Sequence, residues 1–160
     1  MTLPSFLNYK RKDNKMDTID FKILECLKEN SRMNATTIGE RINLSTSAVL
    51  ERIKKLEQSN VIVKYTTVID NEKIGKGITV FISVSLEHPK FDEAFRAVIA
   101  ENEEIVECHY VTGDYDYMLK CTTASSKTLE QLLNFVKSIT GVSHTKTLVV
   151  MRTTKNDFTS

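Results

Sequence analysis

The sequence predicts an α+β fold in two parts, and three observations carry that expectation. Residues 18–58 place apolar side chains three and four apart in three short runs, separated by residues suited to caps and turns. From residue 78 the pattern changes to strict alternation, which then trades places with two further helical stripes and three more strand-like runs. Between the two patterns, Ile74-Gly75-Lys76-Gly77 forms a flexible joint.

Asp17 is a candidate N-cap for a first helix over residues 18 to about 28, with Ile19, Ile23, Leu24 and Leu27 along one side. Asn34 can cap a second helix from about 35 to 42, in which Ile38 and Ile42 lie one turn apart. Asn43 tolerates the left-handed backbone that a helix end needs. Ser45 can then cap a third helix from 46 to about 58, whose Val49, Ile53 and Leu56 face inward. Gly39 stands where a bulky side chain would hold the second and third helices apart. Outside, the third helix carries Thr46, Ser47, Glu51, Arg52, Lys54 and Lys55. A tight helix pair with a polar, partly basic second member suits the reading of a DNA major groove, and this is a helix-turn-helix. After Asn60 the β-branched run 61–68 reads as strand, which predicts a winged form, or a close relative whose strand leads into the next domain.

In the second part Ile78, Val80, Ile82, Val84 and Leu86 alternate with Thr79, Phe81, Ser83 and Ser85. Pro89 suits a helix start, and Phe91, Ala94, Phe95, Val98 and Ile99 mark one helical face. Strands are expected over 105–111, around Tyr117, Leu119 and Cys121, and over 142–151. Ser126 can cap the intervening helix, whose buried face is Leu129, Leu132, Leu133, Val136 and Ile139, and Gly141 ends it. The order βαββαβ is two split βαβ units, so both helices should cover one face of a four-stranded antiparallel sheet, the ferredoxin-like arrangement. The other face then needs a partner, and Phe81 lies on it. The expected domains are an N-terminal extension over 1–15, a helix-turn-helix domain and linker over 16–72, and a ferredoxin-like domain over 73–160.

Composition is that of an ordinary globular chain, with 41% hydrophobic and 27% charged residues. Apolar stretches fall well short of a membrane span, and the first residues lack the pattern of a secretory signal. Cys26, Cys108 and Cys121 contain no CxxC, which argues for reduced thiols and a cytoplasmic location. His88, His109 and His144 show no ligand spacing, so no metal is expected, and no phosphate loop or nucleophile pairing calls for a cofactor. The net charge is +1 overall, but residues 1–15 alone set Lys10, Arg11, Lys12 and Lys15 against Asp13. A head so modestly charged binds one half-site weakly, because phosphate neutralisation supplies most non-specific affinity, and an oligomer is expected.

Helix-turn-helix joined to βαββαβ resembles the Lrp/AsnC family of leucine- and asparagine-responsive transcriptional regulators. The residues that carry the resemblance are Asp17-x-x-Asp20-x-x-Ile23-Leu24, Asn30-Ser31-Arg32, Leu44-Ser45-x-Ser47-x-Val49-x-x-Arg52-Ile53-x-x-Leu56-Glu57, Val61-Ile62 and Gly113-Asp114-x-Asp116-Tyr117. Two positions where the family usually has glycine look like Asn43 and Asn60 here, and asparagine is the best replacement in a left-handed conformation. The 15-residue extension also departs from the family pattern. The resemblance implies a homodimer built on the C-terminal sheets, joining into higher assemblies, often octamers. It implies a small-molecule effector, commonly an amino acid, bound between C-terminal domains near Gly113-Asp114-Tyr115-Asp116.

Candidate DNA contacts are Ser45, Thr46, Ser47, Leu50, Arg52, Lys54 and Lys55. Thr46, Ser47 and Leu50 are placed to meet base edges, Leu50 through a thymine methyl. Arg52 could clamp guanine or phosphate, and Lys54 and Lys55 could hold phosphates. The candidate effector site is Tyr110, Thr112, Gly113, Asp114, Tyr115 and Asp116, with turn N–H groups meeting a carboxylate and Asp114 or Asp116 accepting from an ammonium group. The plain alternative is a hairpin turn. Two other functions fit the same architecture: a DNA-compacting protein without effector, and an enzyme such as the sirohaem decarboxylases, which the intact basic helix opposes.

Overall fold

The computed structural model describes residues 16–155, so the expected extension over 1–15 lies outside the described residues. Two compact units divide after Val68.

The first unit is built from three capped helices. Helix α1 (Thr18–Glu29) starts at Asp17, whose side chain accepts from the Ile19 and Asp20 N–H groups while Asp20 accepts from the Asp17 N–H, a reciprocal capping box. Helix α2 (Ala35–Ile42) is capped by Asn34 and ends at Asn43, which is left-handed at φ 57° and ψ 51°. Helix α3 (Thr46–Gln58) is capped by Ser45. Ile23, Cys26, Ile38, Val49 and Leu56 form the core between them. Asn60 also has positive φ, so both asparagines take the conformation for which glycine is usual.

The expected strand over 61–68 does not form. The chain bends at Val61 and Ile62 and runs on without a ladder partner among the described residues, and Val63, Tyr65 and Val68 stay exposed. β-Branched residues favour extended backbone, but a strand also requires a neighbour to pair with. Tyr65 is tethered instead, its hydroxyl donating to Glu57 Oε1 at 2.9 Å.

The second unit has strands β1 (Ile78–Leu86), β2 (Ile105–Tyr110), β3 (Tyr117–Thr123) and β4 (Val142–Val149), with helices α4 (Asp92–Ala100) and α5 (Ser126–Ser138). A 3-10 turn, Pro89–Phe91, leads into α4. The sheet is antiparallel in the order β2-β3-β1-β4, as a ferredoxin-like fold requires. Val80, Ile82, Val84, Tyr117, Leu119 and Cys121 meet Phe95 and Ile99 of α4 and Leu132 and Val136 of α5. Helix α5 is capped one residue earlier than expected, by Ser125, because Thr128 completes a capping box with it. Ladder partners share a face, so Phe81, Lys120 and Leu148, which lie opposite one another, are on the side away from this core.

Candidate DNA-reading helix and effector site

Helix α3 presents its expected residues on different sides. Ser45, Thr46, Ser47, Leu50, Lys54 and Lys55 are all exposed. Ser45 is engaged as the cap, accepting from the Ala48 N–H at 3.3 Å and lying 3.1 Å from the Ser47 hydroxyl. Thr46 donates to Thr36 Oγ1 of α2 at 3.3 Å, which joins the two helices next to the turn. Lys55 pairs with Glu51 at 2.7 Å, a solvated contact of little energetic weight. Arg52 is placed elsewhere. Its side chain is 29% exposed, and Nη1 reaches Asp17 Oδ2 at 2.8 Å and Asp20 Oδ1 at 2.7 Å, both on α1. The base-clamping role expected for Arg52 would require breaking that pair.

Close approach of α2 to the turn rests on Gly39. A Cβ built there would lie 2.5 Å from the Leu44 carbonyl oxygen.

The effector candidates gather at one end of the sheet. The Val111 N–H donates to the Asp116 carbonyl at 2.9 Å and the Asp116 N–H to the Val84 carbonyl at 2.9 Å, which closes a loop between β2 and β3. Gly113 sits in it at φ 118°. Thr112, Gly113 and Asp114 are exposed, and Tyr115 stacks on His144 with centroids 6.0 Å apart. Asp116 is tied to the scaffold, its Oδ2 accepting from the Leu86 N–H at 2.7 Å. Of the two carboxylates read as ammonium acceptors, Asp114 has neither oxygen engaged among the described residues, while Asp116 has one engaged and lines the neighbouring cleft.

Beside this loop, Leu86, Pro89, Asp92, Arg96, Tyr110, Asp116 and Tyr117 line a cleft of about 470 Å³. Asp92 accepts from the Tyr117 hydroxyl and from Arg96 Nε, the latter at 2.9 Å. The Tyr117 hydroxyl and then Arg96 hold the Asp92 carboxyl below its usual range. Burial, and then the bond to Asp92, push Tyr117 up to about 12, so it is a neutral donor at any physiological pH. Asp92 and Arg96 are not among the residues expected from the sequence. Their i, i+4 spacing was a signal of a pair, but nothing local brings that pair to Tyr117.

A helix-turn-helix with a polar, exposed reading helix, followed by a ferredoxin-like domain with an open loop and cleft, defines a DNA-binding transcriptional regulator carrying a ligand-binding domain. Residues 16–63 match the winged helix-turn-helix DNA-binding family and residues 79–159 the Lrp/AsnC ligand binding domain. The chain belongs to the Lrp/AsnC family. It is 36% identical over 149 residues to the leucine-responsive regulatory protein of Haemophilus influenzae, covering 91% of this chain and 90% of that one. The HTH-type transcriptional regulator FL11 of Pyrococcus horikoshii is 37% identical over 140 residues, covering 88% and 92%. A transcriptional regulator of Neisseria meningitidis, solved as a complex with L-methionine, superposes with a TM-score of 0.87 at 28% identity, covering 91% of this chain and 96% of that one. Among the described residues no helix is long and apolar enough to cross a membrane.

Proposed function

We propose that this chain reads a specific double-stranded DNA sequence with the exposed side of α3 and senses a free amino acid at the loop before β3. It works without catalysis, in the cytoplasm where DNA is its target. Ser47, Leu50 and Lys54 lie on α3 away from Val49 and Leu56, where a base edge or phosphate can be met. Ser45 and Thr46 hold the start of the helix, and Lys55 can exchange Glu51 for a phosphate.

The observation that carries the sensing reading is the open loop. Among the described residues the N–H groups of 112–115 donate to no backbone acceptor, and no donor reaches the Asp114 carboxylate. A zwitterionic amino acid supplies both missing partners. Its side chain can enter the neighbouring cleft, whose Leu86, Pro89 and Tyr110 give it an apolar surface. The complex of the Neisseria relative with L-methionine supports this ligand class.

Homodimers would form on the sheet face that carries Phe81 and Leu148, the latter 52% exposed, and dimers would join into larger rings, an octamer being the form we expect. An effector bound where such dimers meet can shift their geometry, because it contacts more than one subunit.

Thermal unfolding with each of the twenty amino acids tests the proposal. One of them at a hundred times its dissociation constant should stabilise the protein by about 2.7 kcal/mol. Asp114→Ala should lose that response and unfold as wild type does without ligand. An unchanged response in Asp114→Ala would remove the loop from the site. On the DNA side, Lys54→Ala should weaken binding evenly across sequences and lower the salt slope by about one.

A further inference from the structure

We infer that the Asp17–Arg52–Asp20 bridge is a positioning device for DNA reading: it fixes how α3 is presented by locking the middle of that helix to the N-terminal cap of α1. Each carboxylate does two jobs. Asp17 accepts the Ile19 and Asp20 N–H groups on Oδ1, at 2.8 and 2.9 Å, and Arg52 on Oδ2. Asp20 accepts the Asp17 N–H on Oδ2 at 3.0 Å and Arg52 on Oδ1. Four oxygens therefore hold both the helix cap and the crosslink, over 35 and 32 residues of intervening chain.

The geometry places this bridge beside the reading surface and not on it. Val49, Ile53 and Leu56 face the core, Ser47, Glu51 and Lys54 lie outside, and Arg52 falls on the flank that turns toward α1. With Ala48, Glu51 and Lys55, these three residues line a groove of about 440 Å³ between the two helices. Base contacts tolerate little displacement of the helix that carries them, so a loose α3 would still meet phosphates but would read bases poorly.

This role separates from its competitors because charge and position predict opposite signs. The two aspartates are negative charges next to a polyanion. Removing them should raise DNA affinity if only the field matters. If the bridge positions α3, the same removal should lower the preference for a specific sequence. Asparagine preserves the cap, since it serves at an N-cap as well as aspartate does.

The test measures binding of the full chain to a duplex selected by the wild-type protein from a random pool, and to a scrambled duplex of equal length, across a range of salt. Arg52→Gln and the double variant Asp17→Asn/Asp20→Asn should each lose about tenfold in preference for the selected over the scrambled duplex, with the salt slope little changed. The triple variant should lose no more than either. Arg52→Lys, which keeps a cation on the same flank of α3, should recover part of that preference and reports on the bridge even if the glutamine variant fails to fold. A slope lower by about one in Arg52→Gln would make Arg52 a phosphate contact and overturn the inference. An equal or greater preference for the selected duplex in the double aspartate variant would overturn it too.

Discussion

Replacing Gly39 with alanine opposes two effects of similar kind, and the steric one should win. Alanine is favoured over glycine inside a helix by about 1 kcal/mol. Against that, the new Cβ would lie 2.5 Å from the Leu44 carbonyl oxygen and 3.5 Å from its carbon. The obstacle is backbone, not the end of a flexible side chain. It is also held in place, because the Leu44 N–H donates to the Gly39 carbonyl at 2.9 Å and Asn43 and Ser45 fix the turn on either side. Overpacking a tight contact costs about 1–3 kcal/mol, and a rigid neighbour argues for the upper end. The net destabilisation should be about 2 kcal/mol. For a domain this small, that corresponds to a fall in Tm of about 8–16 °C. Circular dichroism of the full chain, followed through the unfolding of the helical domain, measures it directly. A Tm equal to or above wild type would show that the two helices can part without penalty, and would refute the argument that Gly39 is needed for their approach.

Gly141→Ala should be worse for the second unit, because φ is 90° and the added Cβ would run into Cβ and Cγ of Phe91. Backbone strain of about 1–2 kcal/mol adds to a clash of about 1–3 kcal/mol, and denaturant unfolding should show a loss of about 2–5 kcal/mol. Asp17 should give the helical domain an acid-side dependence of stability. The Asp20 N–H, and after it Arg52, hold its carboxyl below the usual 3.8 in the folded state. The folded value is the lower one, so the stabilisation is complete above about pH 3.8 and is shed as pH falls through the folded value. Asp17→Ala should flatten that part of a pH series of melting temperatures, and an unaltered profile would remove Asp17 as its source.

Local chemistry made most elements legible. Asp17, Asn34, Ser45 and Asn43 announce the ends of α1, α2 and α3 because caps and left-handed residues act within a few positions of themselves. The alternation from Ile78 to Leu86 reads as β1 because Val80, Ile82 and Val84 of one face enter the core, while Thr79, Phe81 and Ser85 of the other are only half-buried. What stayed hidden is non-local. The run over 61–68 has the residues of a strand, but pairing depends on a neighbour that no local pattern reveals. Arg52 looks like a DNA-facing cation until the fold brings Asp17 and Asp20 to it. Asp116 looks like a wholly free acceptor until Leu86, 30 residues away, donates to one of its two oxygens. Asp92 and Arg96 become part of a cleft only because α4 packs near Tyr117.

The most direct test of the account couples its two halves in one measurement. Fluorescence anisotropy of a selected duplex would be titrated with protein, alone and with each amino acid, while light scattering follows assembly size in the same samples. One amino acid, or a few of similar side chain, should shift DNA affinity or its cooperativity together with the assembly, and Asp114→Ala should bind DNA but ignore them. DNA binding that no amino acid alters, at concentrations where assembly is also unchanged, would contradict it.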